Sequence, residues 1–385
     1  MSQIAATSSL PADISPPPCT KQQYIYGVIP TSDRLIFDIA GLDDDDDEVY
    51  SLGQPSRSYG DTGGQPQGLP LPSGLAAVTG RTAVTDYRGL GRQAAVRYLV
   101  THQRVVEAVM ADYPILPVKF GTVLADEAGV LRLLAQGEPL FREALARIAG
   151  RVQMEVVVLW NPQEVFAQVA QEEPIVRLKA ELAARPPQEI TADRVALGQM
   201  VFASLERRRN VIRDRVLPAL KKIAADVATN PLMDETMVLN VALLIDKTAS
   251  DTLSRELDVL DQEFGGRLTF RCVGPLPPYS FATVEVQTPT FEAVDGARGR
   301  LGLGASATAG EIKKAYHRLA EQLHPDRNTE DAQAETRMNE LTQAYRLLTA
   351  FSINQALAPT EACSFSREAV AQTLLIDVRR QESPG

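Results

Sequence analysis

The sequence predicts an α+β protein. It should comprise two α+β units built on ferredoxin-like, split β-α-β sheets, the second with a projecting helical pair, and then a small all-α module. Three observations carry this. Thr236–Gln287 reads strand, helix, strand, strand, the order that ends a split β-α-β sandwich. Short β-branched runs and amphipathic stretches fall into two sets that meet near Gly150, and 385 residues suit two or three domains at roughly 100–200 residues each. Beyond Gln287 the pattern changes to short helices. The expected domains are a flexible tail at 1–21, an α+β unit at 22–150, an α+β unit at 151–287, an all-α module at 288–351 and a second tail at 352–385.

In chain order, the Ser-, Pro- and Ala-rich start precedes a strand at Tyr24–Ile29 and a short one at Leu35–Ile39. Residues 41–74 are dominated by Gly, Pro, Ser and acids and read as a disordered acidic insertion, too polar to bury anything. Its run Asp43–Glu48 lacks the loop spacing and glycine of an EF-hand, so a solvated, self-repelling segment is expected. Strand character returns at Ala76–Val78 and Thr82–Thr85. A helix over Gly91–Ala111 should bury Ala95, Leu99, Val106 and Val109, with His102 capping or packing locally. Pro114–Thr122 is the next strand. Its Lys119 has no phosphate-cradling glycine loop beside it and reads as structural or interfacial. Glu127–Ala149 is helical with a break at Gly137-Glu138-Pro139.

The second unit opens on the strand Val152–Trp160. Two helices, Gln163–Ala184 and Thr191–Ala228, should meet at the Pro186-Pro187 turn, and Pro218 could kink the second. Arg207, Arg208, Arg209, Arg213, Arg215, Lys221 and Lys222 make it the most basic stretch, read as a solvated face because acids surround it in sequence. Thr236–Asp246 is a buried strand. The helix Ala249–Phe264 carries Leu253, Leu257 and Leu260 inward and ends at Gly265-Gly266. Arg267–Val273 and Ser280–Val286 follow as strands across a Pro-fixed corner, and all four strands are expected in one sheet.

Composition narrows the function classes. A net charge of -10 argues against nucleic acid, whose binding rests on cationic phosphate contacts. Three separated cysteines make neither a CxxC pair nor a disulfide framework and fit a reducing compartment. There is no secretory pattern at the start and no apolar run of about 20 residues, so a soluble, cytoplasmic chain without a membrane partner is expected. HExxH, GxSxG and Walker sequences are absent, and neither enzymatic activity nor a cofactor is expected.

Several segments, in order, carry a resemblance: YIYGVIP (Tyr24–Pro30), HQRVVEAVM (His102–Met110), PILPVKFGTVL (Pro114–Leu124), and NVALLID followed by a helix and GPLPPYSFATVEV. Over residues 22–287 the chain resembles the gas vesicle GvpL/GvpF family. The resemblance implies a cytoplasmic accessory protein, associated with the gas vesicle, that binds the shell subunit and other accessory proteins during assembly.

The all-α module has its own signature. Thr308 and Glu311 form a capping box, and Ile312, Ala315, Tyr316, Leu319, Ala320 and Leu323 make one apolar stripe. Lys313, Lys314, His317 and Arg318 occupy the opposite face. The loop HPDRN leads to a helix over Ala332–Thr349 with Met338, Leu341, Ala344, Tyr345 and Leu348 inward. EIKKAYHRLAEQLHPDRN in this setting resembles a J-domain. The resemblance implies that His324, Pro325 and Asp326 engage a DnaK-type chaperone and trigger its ATP hydrolysis, with the basic helix docking beside them. Glu321-Gln322 departs from the usual basic character. From Phe291 to Phe351, eight Lys/Arg against nine Asp/Glu leave -1, so steering toward an acidic partner is weak. Two other readings follow: a J-like fold kept as an interaction module, and a general J-domain co-chaperone with an α+β client-binding body. Gly302-Leu303-Gly304 with Ala307 mimics a dinucleotide fingerprint but follows a predicted helix, where that motif needs a strand. No zinc-binding cysteine repeat follows Phe351, and the last segment carries one helix-to-strand pattern near Ala369–Val378.

Overall fold

The computed structural model describes residues 22–42, 48–53, 74–87, 89–185, 191–323, 333–355 and 361–381. Its first sheet is antiparallel and forms around β1 (Gln22–Ile29), an apolar run buried along nearly its whole length. The strands β2 (Ile36–Ala40), β3 (Glu48–Gly53), β4 (Ala76–Thr82) and β5 (Leu116–Pro117) give the order β2-β3-β4-β1-β5, and β6 (Val123–Leu124) also pairs with β1. A register irregularity between Ile25 and Gly27 switches the side-chain parity of β1. Tyr24, Tyr26 and Ile29 therefore face α1 (Arg92–Asp112), while Ile25 and Val28 face α2 (Glu127–Ile148).

The second sheet has the order β10-β7-β9-β8, from β7 (Arg151–Trp160), β8 (Asp226–Thr229), β9 (Met237–Asp246) and β10 (Leu268–Leu276). β9 and β10 flank β7 and are both antiparallel to it, so they run parallel to each other. α6 (Ser250–Phe264) connects them, which completes the split β-α-β unit. Gly265, at φ 62°, stops α6 in the left-handed conformation that glycine takes freely. The helices α3 (Pro162–Val169), α4 (Glu173–Ala183) and α5 (Thr191–Lys221) lie between β7 and β8. One continuous core runs from Tyr24 and Val105 through Val156 and Leu220 to Leu260, so the two units are packed together.

Beyond them, α7 (Phe291–Leu301), α8 (Ala309–Leu323) and α9 (Ala334–Gln355) form the helical module around Val294, Leu301, Ile312, Leu341, Leu348 and Phe351. A two-residue bridge joins β12 (Ser306–Ala307) to β13 (Cys363–Ser364). The short helix α10 (Arg367–Gln372) then leads into β14 (Leu375–Arg379).

Several expectations need correction. Glu48–Gly53, inside the segment read as an insertion, is the strand β3. It is paired on both edges, with Val49 and Tyr50 buried. A six-residue strand in polar surroundings has too little pattern of its own, and its neighbours supply the burial. Ala76–Thr82 is one strand, and Pro114–Thr122 gives only Leu116–Pro117 and a bridge at Val118 before a turn. Leu99 is 45% exposed, with Val96 and Val100 at 53% and 50%, because the sheet covers only the C-terminal half of α1. The helix α2 runs unbroken through Pro139. Proline costs about 3 kcal/mol there, against ~1.5–3 kcal/mol for each large apolar side chain buried from Val130 to Ile148.

The predicted pair is three helices. Pro174 opens α4 after a turn at Ala170, and α5 ends at Lys221, leaving Asp226–Thr229 to the sheet. α5 continues through Pro218, and Pro186-Pro187 lies outside the described residues. Finally, β11 (Thr283–Gln287) is not in the second sheet. It pairs over five residues with β14, and Val284 bridges Val118 of the first unit. The segment read as a C-terminal tail is thus partly built into the body.

Candidate functional site

The module's surface is set by how α8 is started and packed. Thr308 Oγ1 accepts from the Glu311 amide at 3.2 Å, and the Thr308 amide donates to Glu311 Oε2 at 2.8 Å. The Thr308 backbone N–H, then its hydroxyl, holds the Glu311 carboxyl below its ordinary range. Ile312 and Ala315 are buried against α9, with Tyr316, Leu319, Ala320 and Leu323 half-buried beside them. Tyr316 stacks on Tyr345 at 4.2 Å, and its hydroxyl lies 3.5 Å from Thr342 Oγ1.

This packing fixes the opposite face. Lys313, Lys314, His317 and Arg318 are all exposed. The His317 ring meets Tyr316 edge-on at 5.6 Å. Lys313, Lys314 and Arg318 form no ion pair with a described residue, whereas Arg298 and Arg300 on α7 pair with Asp295 and Glu340. The structure thus brings together four of the seven predicted docking residues. His324, Pro325 and Asp326 lie outside the described residues.

In the body, the two sequence-flagged side chains are structural. His102 is buried, its Nδ1 2.9 Å from the Tyr24 hydroxyl and its ring stacked on Tyr26. Burial pushes its pKa down to about 4, so it is neutral at pH 7. The Gly121 amide donates to the same hydroxyl at 3.0 Å, and burial raises the Tyr24 pKa. Lys119 pairs with Glu285 at 2.8 Å, and Arg379 reaches the other oxygen of Glu285 at 3.1 Å, tying β11 to the sheet and to β14. The basic stretch of α5 is largely paired: Arg207 and Arg208 with Glu172, Arg209 with Glu206, and Arg215 with Glu263. No helix of the described residues is long and apolar enough to cross a membrane.

Two sheets sharing a core, joined to a helical hairpin with a basic outer face, define an α+β body fused to a small helical module. The chain belongs to the gas vesicle synthesis protein GvpL/GvpF family, whose model matches residues 22–283, and a DnaJ domain matches residues 299–352. Gas vesicle protein F of Microcystis aeruginosa (strain PCC 7806) is 28% identical over 193 residues, 49% of this chain and 78% of that protein. The crystal structure of the gas vesicle protein GvpF from Anabaena sp. PCC7120 shares the fold, with a TM-score of 0.54 and 22% identity over 68% of this chain and 97% of that one. The J region is 52% identical over 48 residues to the mitochondrial chaperone protein dnaJ GFA2 of Arabidopsis thaliana, 12% of this chain and 10% of that protein. The α+β class, the family and the J module agree with the sequence motifs. The pairing of β14 with β11 leaves no local pattern in the sequence.

Proposed function

We propose that this protein is a non-enzymatic, cytoplasmic assembly factor of the gas vesicle. Its body binds the shell subunit, alongside other accessory proteins, while its J module recruits a DnaK-type chaperone. The observation that carries the reading is the union, in one chain, of a GvpL/GvpF body with a J hairpin whose Lys313, Lys314 and Arg318 are uncommitted among the described residues. A small, apolar subunit awaiting assembly is a client that a chaperone would keep from aggregating, and the body supplies selectivity. Among the exposed apolar side chains of the body, Val96, Leu99 and Val100 sit at i, i+3 and i+4 on α1, one helix face beside the family-matched segment His102–Met110.

Co-purification of the tagged full chain with the major shell subunit tests the body's part, with an unrelated apolar client as control. The reading expects retention of the shell subunit only, and loss of it with Val96→Asp plus Val100→Asp in a protein of unchanged helical content. Equal retention of both clients identifies a general J-domain co-chaperone instead.

A further inference from the structure

Where α3, α5 and the end of α6 meet the start of β10, a groove of about 460 Å³ opens on the second unit. Its floor is apolar: Trp160, Ile212, Phe264 and Leu268, with Val211 on the rim and 70% exposed. Arg209 stacks over the Trp160 ring at 5.0 Å, and the indole N–H donates to the Glu235 carbonyl at 2.8 Å, so the floor is held rigidly. Three guanidiniums line the groove: Arg207, Arg208 and Arg267. Arg207 and Arg208 share one carboxylate, Glu172, at 3.3 and 3.0 Å. Arg267 donates to the Phe264 carbonyl at 2.9 Å and has no carboxylate partner among the described residues. Glu164, the acid of the lining, is held by Asn161 at 3.1 Å. Counting Arg207, Arg208 and Arg267 against Glu164 and Glu172 leaves one positive charge, on a chain whose net charge is -10.

We propose that this groove is a docking site for an acidic amphipathic helix of a partner protein, distinct from the α1 face and the J module. The walls are helix side chains rather than backbone donors, so recognition runs through apolar anchors in a trough, as in helix-in-groove binding. The volume suits two or three such anchors. The surplus guanidinium charge selects carboxylates on the helix flanks, since bidentate Arg–carboxylate pairs fix register as well as sign.

Trp160, the single tryptophan of the chain, reports occupancy directly. The probe is a 14-residue peptide with Leu at i, i+3, i+4 and i+7 and Glu at the flanking positions, titrated into the full chain and followed by Trp160 emission. A matched peptide with Lys for Glu is the control. The expected result is a saturable emission change with the Glu peptide, at least tenfold tighter than with the Lys peptide and weakening as salt rises. Arg207→Glu plus Arg267→Glu should reverse the preference while leaving circular dichroism and resting emission unchanged. Val211→Asp should weaken the Glu peptide at least tenfold. No saturable change, or equal response to the two peptides, overturns the proposal. So does a response to a small aromatic carboxylate equal to that of the Glu peptide, which would make the groove a small-anion site.

Discussion

At the scale of residues, two positions give tests with a definite sign. Gly137 sits inside α2, where alanine ordinarily gains about 1 kcal/mol over glycine. A Cβ at Gly137 would come within 2.3–2.9 Å of the buried Phe141 ring. Gly137→Ala should therefore lower stability by ~1–3 kcal/mol, the usual range for overpacking, as measured by urea unfolding. The second is His102. Its folded pKa is about 4, below the unfolded 6.5, so the unfolded chain binds the extra proton between those values. Stability is therefore fully present above pH 6.5, is lost as pH falls, and stops falling on this account near pH 4. Between pH 7 and pH 5 the loss should be about 2 kcal/mol, and His102→Gln should flatten that part of the profile. The sequence placed His102 on a helix but could not show its burial, because the Tyr24, Tyr26 and Phe120 rings that enclose it come from other elements.

Among the elements, the C-terminal strand is the most informative. Leu374 and Ile376 enter the core beneath α2, the Leu374 amide donates to Gln136 Oε1 at 3.1 Å, and the Gln381 amide donates to the Ser280 carbonyl at 2.9 Å. Arg380 closes the strand on Asp226 at 2.6 Å. Ile376→Asp should destabilise the body by ~2–5 kcal/mol and expose the β11 amides to hydrogen exchange, although residue 376 lies far outside the family-matched region. The acidic region divides similarly. Residues 54–73 lie outside the described residues, and from their polar composition their replacement by a short Gly/Ser linker should leave the unfolding midpoint nearly unchanged. Replacing 43–74 removes β3 and should lower it sharply. Strands with strong runs of their own, such as β1, β7 and β9, and helices with clear stripes were legible in the sequence. β3, β11 and β14 were not correctly placed, because their partners lie far along the chain and pairing over such distances leaves no local mark.

For the molecule as a whole, the J module is not hung on a free tether. α9 leads through β13 and α10 into a strand of the body, and Phe365, Val370 and Leu375 pack with Phe351 in the module's own core. The basic face of α8 is exposed in this arrangement, as the proposed docking of a chaperone on it requires. Single-turnover ATP hydrolysis by the host DnaK-type chaperone, with the shell subunit present, tests this most directly. Wild type should stimulate hydrolysis, Asp326→Asn should abolish the stimulation without loss of helical content, and Lys313→Glu plus Lys314→Glu should weaken it in a salt-dependent way. Equal stimulation by wild type and Asp326→Asn, or none by wild type, would contradict the account.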